Sequence, residues 1–277
     1  MASPGRRSPC PDADCAGEVA IAATHCFLAP HYDDVALSCG GTVALLAGQG
    51  ARPLVVTVFG GDPRDAPLTG FARWQHERWG TGAGDTIATR EAEERAAAAI
   101  LGCVTTALPY LDAIYRGDQY LSDDALFGPV APADAPLIAQ IAADMYALLA
   151  PGGTLYVPLA AGNHVDHQLV YIVGRQLAAG GVRVLAYEDC PYGLIGTALA
   201  ERLAAVAGEL GAPDVRPVGA ALATRLAAID AYQSQLPTIF RFFADWRAAI
   251  TDAAQAIGGA AGPAERFWPL VQAPDQD

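Results

Sequence analysis

Lysine is absent from this chain of 277 residues: all 17 basic residues are arginine, set against 30 acidic ones. The formal net charge is −13, and no cluster of basic residues interrupts it. Such a chain offers little to nucleic acid or to an anionic membrane, whose binding rests on clustered positive charge. Uninterrupted apolar stretches of about 18 residues, long enough to span a bilayer, are also missing. So is an apolar segment behind Arg6 and Arg7, so the N-terminus does not read as a signal peptide. Residues 1–18 are rich in Pro, Ser, Gly and Asp and read as a disordered or loosely attached leader. Cysteines occur at 10, 15, 26, 39, 103 and 190 without a C-x-x-C pair. That argues against a disulfide framework and for a reducing, cytoplasmic protein, with Cys26 and Cys39 acting as small hydrophobes. No G-x-G-x-x-G follows the first apolar run, and neither G-x-x-x-x-G-K-[ST] nor G-x-S-x-G occurs. Dinucleotide, P-loop and serine-hydrolase chemistry are thereby disfavoured.

What is present is a large apolar fraction, 52% of the residues, enough for a sizeable core. Residues 24–30 (THCFLAP) read as a first strand and 36–48 as a buried helix. Gly40 and Gly41 weaken that helix but leave room for a close approach to the sheet. The β-branched run 52–60 is a second strand. Residues 61–86 read as a long loop with a short helix near 71–79, and Trp74 and Trp79 argue against disorder there. A helix over 87–102 is stopped by Gly102. Strands are expected near 104–111, 154–160 and 182–189, and helices over 134–150 and up to about 178. Beyond that the chain reads as mostly helical to about 258. The alternation predicts an α/β fold: a Rossmann-like, doubly wound, mostly parallel sheet with helices on both faces. Residues 19–277 are expected to form one domain with a helical C-terminal part.

Two short clusters carry the chemistry. HYDD at 31–34 follows the first strand, and HVDH at 164–167 follows the strand near 154–160. In an open parallel sheet, ligands bind beyond the carboxyl ends of the strands, so two such ends brings both clusters to one crevice when the strands are neighbours. His31 and Asp34 are three apart, as are His164 and His167. At the opening of a helix or in a tight turn, that spacing puts both side chains on one face. Mixed imidazole and carboxylate donors suit Zn2+, and a two-His, one-carboxylate set also fits Fe2+ or Mn2+.

The two clusters support a resemblance. PHYDD resembles the PHPDDE signature, and NHVDH the HPDH signature, of the LmbE-like or PIG-L family of zinc-dependent deacetylases. TREAEERAAAAILG at 89–102, LDAIYR at 111–116, YEDCPY at 187–192, YQSQ at 232–235 and ERFW at 265–268 extend the likeness over 24–268. Tyr32 and Val165 stand where the signatures have Pro, and Val35 where the first has Glu. The resemblance implies an LmbE-like fold and a zinc-dependent hydrolase that removes acetyl from an N-acetylated amino sugar or sugar conjugate. It implies His31, Asp34 and His167 as metal ligands and Asp33 as general base. His164 becomes an acid or oxyanion stabiliser, and Asp166 holds an imidazole in its orientation. Arg90 and Asp112 are expected near substrate. Trp74, His76, Trp79, Tyr115, Arg116 and Tyr192 are weaker candidates for the pocket wall. The rival readings are an amidase acting on a larger acyl conjugate and a catalytically inactive binding module.

Overall fold

The computed structural model describes residues 22–64, 67–82 and 84–271. The leader at 1–18, with Cys10 and Cys15, lies outside the described residues.

One sheet of seven strands organises the chain, in the order β3-β2-β1-β4-β5-β7-β6. β1 (Ala23–Ala29), β2 (Leu54–Thr57), β3 (Val104–Ala107), β4 (Leu149–Pro158) and β5 (Arg183–Tyr187) run parallel. Helices α1 (Asp34–Gly48), α2 (Gly70–Trp79) and α3 (Thr86–Leu101) connect the first three strands. After the short α4 (Asp123–Leu126), α5 (Ala135–Leu148) leads into β4, and α6 (Val165–Ala179) joins β4 to β5. The expected α/β architecture, mostly parallel with helices on both faces, is the one observed.

Strand periodicity explains the two layers. Along β1, Cys26 and Leu28 face one side, where they pack with α5 and α6 residues such as Ile141, Met145, Leu169 and Val173. Phe27 and Ala29 face the other, with Val35, Cys39 and Val43 of α1 and Ala97 and Leu101 of α3. A parallel strand covered on both faces has no solvent side, which is why residues 26–29, the buried half of β1, form a continuous apolar run. Phe27 stacks on Tyr156 of neighbouring β4 with ring centroids 4.0 Å apart.

The last third departs from the expected mostly helical stretch. α7 (Ala198–Ala205), α8 (Ala221–Ile229), α9 (Leu236–Ile239) and α10 (Trp246–Gly258) are present, but so are β6 (Asp214–Pro217) and β7 (Ala264–Pro269). β7 pairs antiparallel with β5, and β6 antiparallel with β7. β6 is only DVRP, with a half-exposed, mixed pattern that gives periodicity nothing to detect. Gly40 and Gly41 make room for side chains: an added Cβ would lie 3.2 Å from Arg225 Cγ and 2.8 Å from Glu265 Oε1, respectively.

The strand order places the site. β1 leads outward to β2 and β3, whereas β4 leads the other way to β5. The crevice at such a reversal, beyond the carboxyl ends of β1 and β4, is where open α/β sheets bind ligands. Among the described residues, no helix is long and apolar enough to cross a membrane.

Candidate metal centre

Both clusters sit on sharp turns beyond the two central strands. Asp33 caps α1 with φ 100, and the loop after β4 includes Ala160 and Asn163 at φ 66. His164 caps α6, its Nδ1 accepting the Asp166 N–H at 3.2 Å. These reversals bring the imidazoles of His31, His164 and His167 to centroid separations of 5.0 to 5.6 Å.

Asp34 lies between two of them. Its Oδ2 accepts the His31 backbone N–H at 2.7 Å and lies 3.5 Å from His31 Nδ1. Its Oδ1 lies 3.5 Å from His167 Nε2. The donor atoms of His31, Asp34 and His167 all fall within 4.8 Å of one another. Two nitrogens and one carboxylate oxygen at that spacing can hold a divalent metal ion. The outer side of each imidazole is also fixed. His31 Nε2 lies 2.9 Å from Asp166 Oδ2, and His167 Nδ1 lies 2.6 Å from Asp189 Oδ1. A carboxylate behind the imidazole sets its tautomer and ring orientation and makes the inner nitrogen a better ligand. His31, His164 and Asp166 form a second close group. There, however, both Asp166 oxygens are already engaged: Oδ2 also accepts the Ala113 N–H, and Oδ1 accepts Arg116 Nη2 at 2.6 Å.

Charge pairing dominates the electrostatics. Burial acts to raise the Asp34 carboxyl, but His167 and His31 outweigh it and hold it at about 2. Burial likewise opposes ionisation of Asp166, but Arg116 and His31 hold it well below the usual carboxylate range. Against the pull of burial, His31 is pushed up by Asp112, Asp166 and Asp34, and His167 by Asp34 and Asp189. His164 goes the other way, driven down by burial and by the charge of His31. It is therefore a neutral ring whose proton sits on Nε2, because Nδ1 accepts a hydrogen bond. Asp33 is pushed well up by burial and by adjacent Asp34, which Arg90 Nη2 at 3.7 Å does not offset. Its Oδ2 is buried without a hydrogen-bond partner among the described residues.

These groups floor a cavity of about 140 Å³. Arg90 and Asp112 line it, with Arg90 Nη1 3.9 Å from Asp112 Oδ2. Trp79 and Tyr192 also line it, and the Tyr192 ring lies 5.7 Å from that of His167. Other candidates do not reach the cavity. Trp74 is 43% exposed under the Arg78 guanidinium. His76 is buried with Nε2 2.6 Å from Tyr115 Oη. Arg116 sits behind Asp166 rather than in the wall.

Sequence reasoning missed Asp189 as a site residue. An aspartate with no histidine nearby in sequence has no spacing to mark it, yet it follows β5, next to β4 in the sheet. The signal was positional: the segments after β1, β4 and β5 all carry aspartate.

Comparison with known proteins adds context. A 2'-N-acetylparomamine deacetylase of Niallia circulans is 32% identical over 60% of this chain, and one of Streptomyces fradiae 34% identical over 60%. The matched stretch spans 66% and 56% of those proteins' own lengths. A crystal structure of the zinc-inhibited form of teicoplanin deacetylase Orf2 superposes with a TM-score of 0.78 at 25% identity, covering 91% of this chain and 99% of that one. The family profile described as PIG-L: GlcNAc-PI de-N-acetylase matches residues 26–178, more than half of the chain. That span runs from the strand before His31 through the helix that carries His167, and it makes this chain a member of the PIG-L (LmbE-like) family.

Proposed function

We propose that the protein is a zinc-dependent hydrolase that removes the acetyl group from an N-acetylated amino sugar or sugar conjugate. The observation that carries this reading is the convergence of His31, Asp34 and His167 at the floor of a cavity, beside an Asp33 carboxyl whose Oδ2 makes no hydrogen bond among the described residues. The activities named for the family and for the deacetylases above support the amide as the bond cleaved.

His31, Asp34 and His167 would hold the metal. Bound there, zinc would acidify a water and polarise the scissile carbonyl. Asp33 takes the proton of the attacking water and returns it to the departing amine nitrogen, so that amide and water become acetate and amine. The neutral His164 donates its Nε2–H to the carbonyl oxygen as negative charge develops on it. Asp166 and Asp189 keep the His31 and His167 rings in position. Arg90 steadies Asp33, and Asp112 offers an acceptor to a sugar hydroxyl. A cytoplasmic setting is supported by the free thiols of Cys26, Cys39, Cys103 and Cys190.

The test is zinc per chain by elemental analysis for the wild type and His167→Ala, followed by an acetate-release screen over N-acetylated sugars. About one equivalent in the wild type, mostly lost in the variant, is the expected result. A wild type that binds no divalent metal after reconstitution overturns the mechanism.

A further inference from the structure

Asp33 is a non-glycine residue at φ 100 and ψ −37. A conformation of that kind costs about 1–3 kcal/mol and persists only where its surroundings enforce it. Its carboxylate Oδ2 has no hydrogen-bond partner among the described residues and meets only the Arg90 guanidinium, at 3.7 Å, so the backbone conformation shares in aiming the side chain. Neighbours in sequence fix the turn around it: Asp34 Oδ2 accepts the His31 N–H at 2.7 Å, and the Leu37 N–H donates to Asp33 O at 2.9 Å, while Val35 is packed in the core.

Two contacts from α3 hold the Tyr32–Asp33 peptide itself: Arg90 Nη2 donates to Tyr32 O at 3.3 Å, and Glu94 takes the N–H. The Asp33 N–H donates to Glu94 Oε2 at 3.3 Å. The Tyr232 hydroxyl donates to the same oxygen at 2.7 Å, and Thr105 Oγ1 donates to Oε1 at 3.3 Å. Glu94 is buried, and its donors come from three separate segments, which leaves its carboxylate one position. Adjacent Glu93 accepts both the N–H and the hydroxyl of Ser234 at 2.7 Å, docking the Tyr232 segment onto the same helix.

We propose that Glu94 is a positioning residue: by accepting the Asp33 N–H it holds residue 33 in its left-handed conformation and so aims the Asp33 carboxylate at the reaction centre. The inference rests on the deacetylase reading for its kinetic readout, but not for its structural one. What the clamp requires is an acceptor oxygen, not a charge. A glutamine at 94 keeps it, with the amide oxygen facing Asp33 and Tyr232 while the amide NH2 donates to Thr105 Oγ1. A methionine of similar length does not.

The experiment compares Glu94→Gln and Glu94→Met for acetate release, zinc content and crystal structure. Glu94→Gln is expected within about threefold of wild-type kcat, while Glu94→Met loses about 100-fold in kcat with KM little changed, as misaligned reacting groups do. Zinc content stays that of the wild type in both variants. Residue 33 keeps its positive φ in Glu94→Gln and leaves it in Glu94→Met. Equal losses in the two variants would assign Glu94 an electrostatic role and overturn the proposal, as would an unmoved residue 33 in Glu94→Met. Where Glu94→Met does not fold, Tyr232→Phe frees the Glu94 carboxylate on one side and is expected to lower kcat about tenfold, again at constant KM; unchanged kcat overturns the proposal. A wild type that releases no acetate sinks the deacetylase reading alone, because the conformation of residue 33 still decides whether Glu94 is the clamp.

Discussion

Arg225 and Glu265 are inserted into a break in the helix that begins at the candidate metal centre. Cys39 in α1 is non-helical, at φ −145 and ψ 25. In an unbroken helix the Gly41 N–H pairs with Leu37 O. Here the Gly41 and Thr42 N–H groups donate to Glu265 at 2.9 and 2.8 Å, and Arg225 donates to Leu37 O. The two side chains close the gap with their own contact, Arg225 Nη1 to Glu265 Oε1 at 3.2 Å. The pair takes over the work of the missing backbone bonds, and the first turn, with Asp34 on it, ends just before the break.

Removing either partner is therefore expected to destabilise the protein strongly. Both residues are buried, so Arg225→Ala leaves Glu265 an uncompensated charge and strips a donor from Leu37 O. Breaking a buried pair on one side costs about 3–5 kcal/mol. Urea unfolding of Arg225→Ala, Glu265→Ala and the double variant measures this. The double variant is expected to lose less than the sum of the singles, because the two share one network. Single losses under about 1 kcal/mol would mean that water replaces the pair at little cost.

The carboxylates behind the imidazoles are expected to control metal affinity without touching the metal. Asp189→Asn and Asp166→Asn each remove the charge that orients a ligand ring, a change that typically weakens binding by about 10–100-fold. Asp166→Asn is expected to be the more damaging, because Asp166 also takes Arg116 and the Ala113 N–H. Competition with a chelator reads both affinities. Unchanged affinity in both variants would make the two contacts mere packing.

The sequence is legible where one segment supplies the whole signal. The runs before His31 and His164 are apolar because β1 and β4 are covered on both faces, and each cluster shows its candidate histidines and aspartates in one short segment. What lies between distant segments is not legible. The break at Cys39 falls at the weak point that Gly40 and Gly41 mark in ALSCGGTVALLAG, but the residues on α8 and β7 that fill it are not legible there. The same holds for Arg116, expected in the pocket wall and found behind Asp166. Its role depends on a fold that sets it 2.6 Å from a residue 50 positions away.

The stability gap between metal-loaded and metal-free protein should widen as pH rises. His31 and His167 have folded-state pKa values above the ordinary 6.5, because facing carboxylates outweigh burial. A raised pKa contributes stability that is full below the unfolded value and is lost as pH rises through the folded one. Metal-free protein is thus expected to melt at a lower temperature as pH rises above about 6.5. Metal ligation needs both imidazoles deprotonated, so the metal-loaded protein gains on the metal-free one over the same interval. Thermal melts of both forms across that range test this. A gap between them that does not widen with pH would mean that these histidines do not bind the metal.

Gly162 and Gly181 separate two effects that one substitution usually mixes. Both have left-handed backbones, at φ 83 and φ 88. Nothing lies within 4 Å of a Cβ added at Gly181, whereas at Gly162 it would meet Tyr192 Cβ at 2.7 Å and Cγ at 2.8 Å. Gly181→Ala therefore carries the backbone cost alone, about 1–2 kcal/mol. Gly162→Ala carries the same cost and also displaces Tyr192, whose ring borders the cavity beside His167. Both variants are expected to melt lower than wild type, but only Gly162→Ala should raise KM for the N-acetylated substrate. If KM stays at the wild-type value in Gly162→Ala while its melting temperature falls, Tyr192 is not part of the surface that receives the sugar.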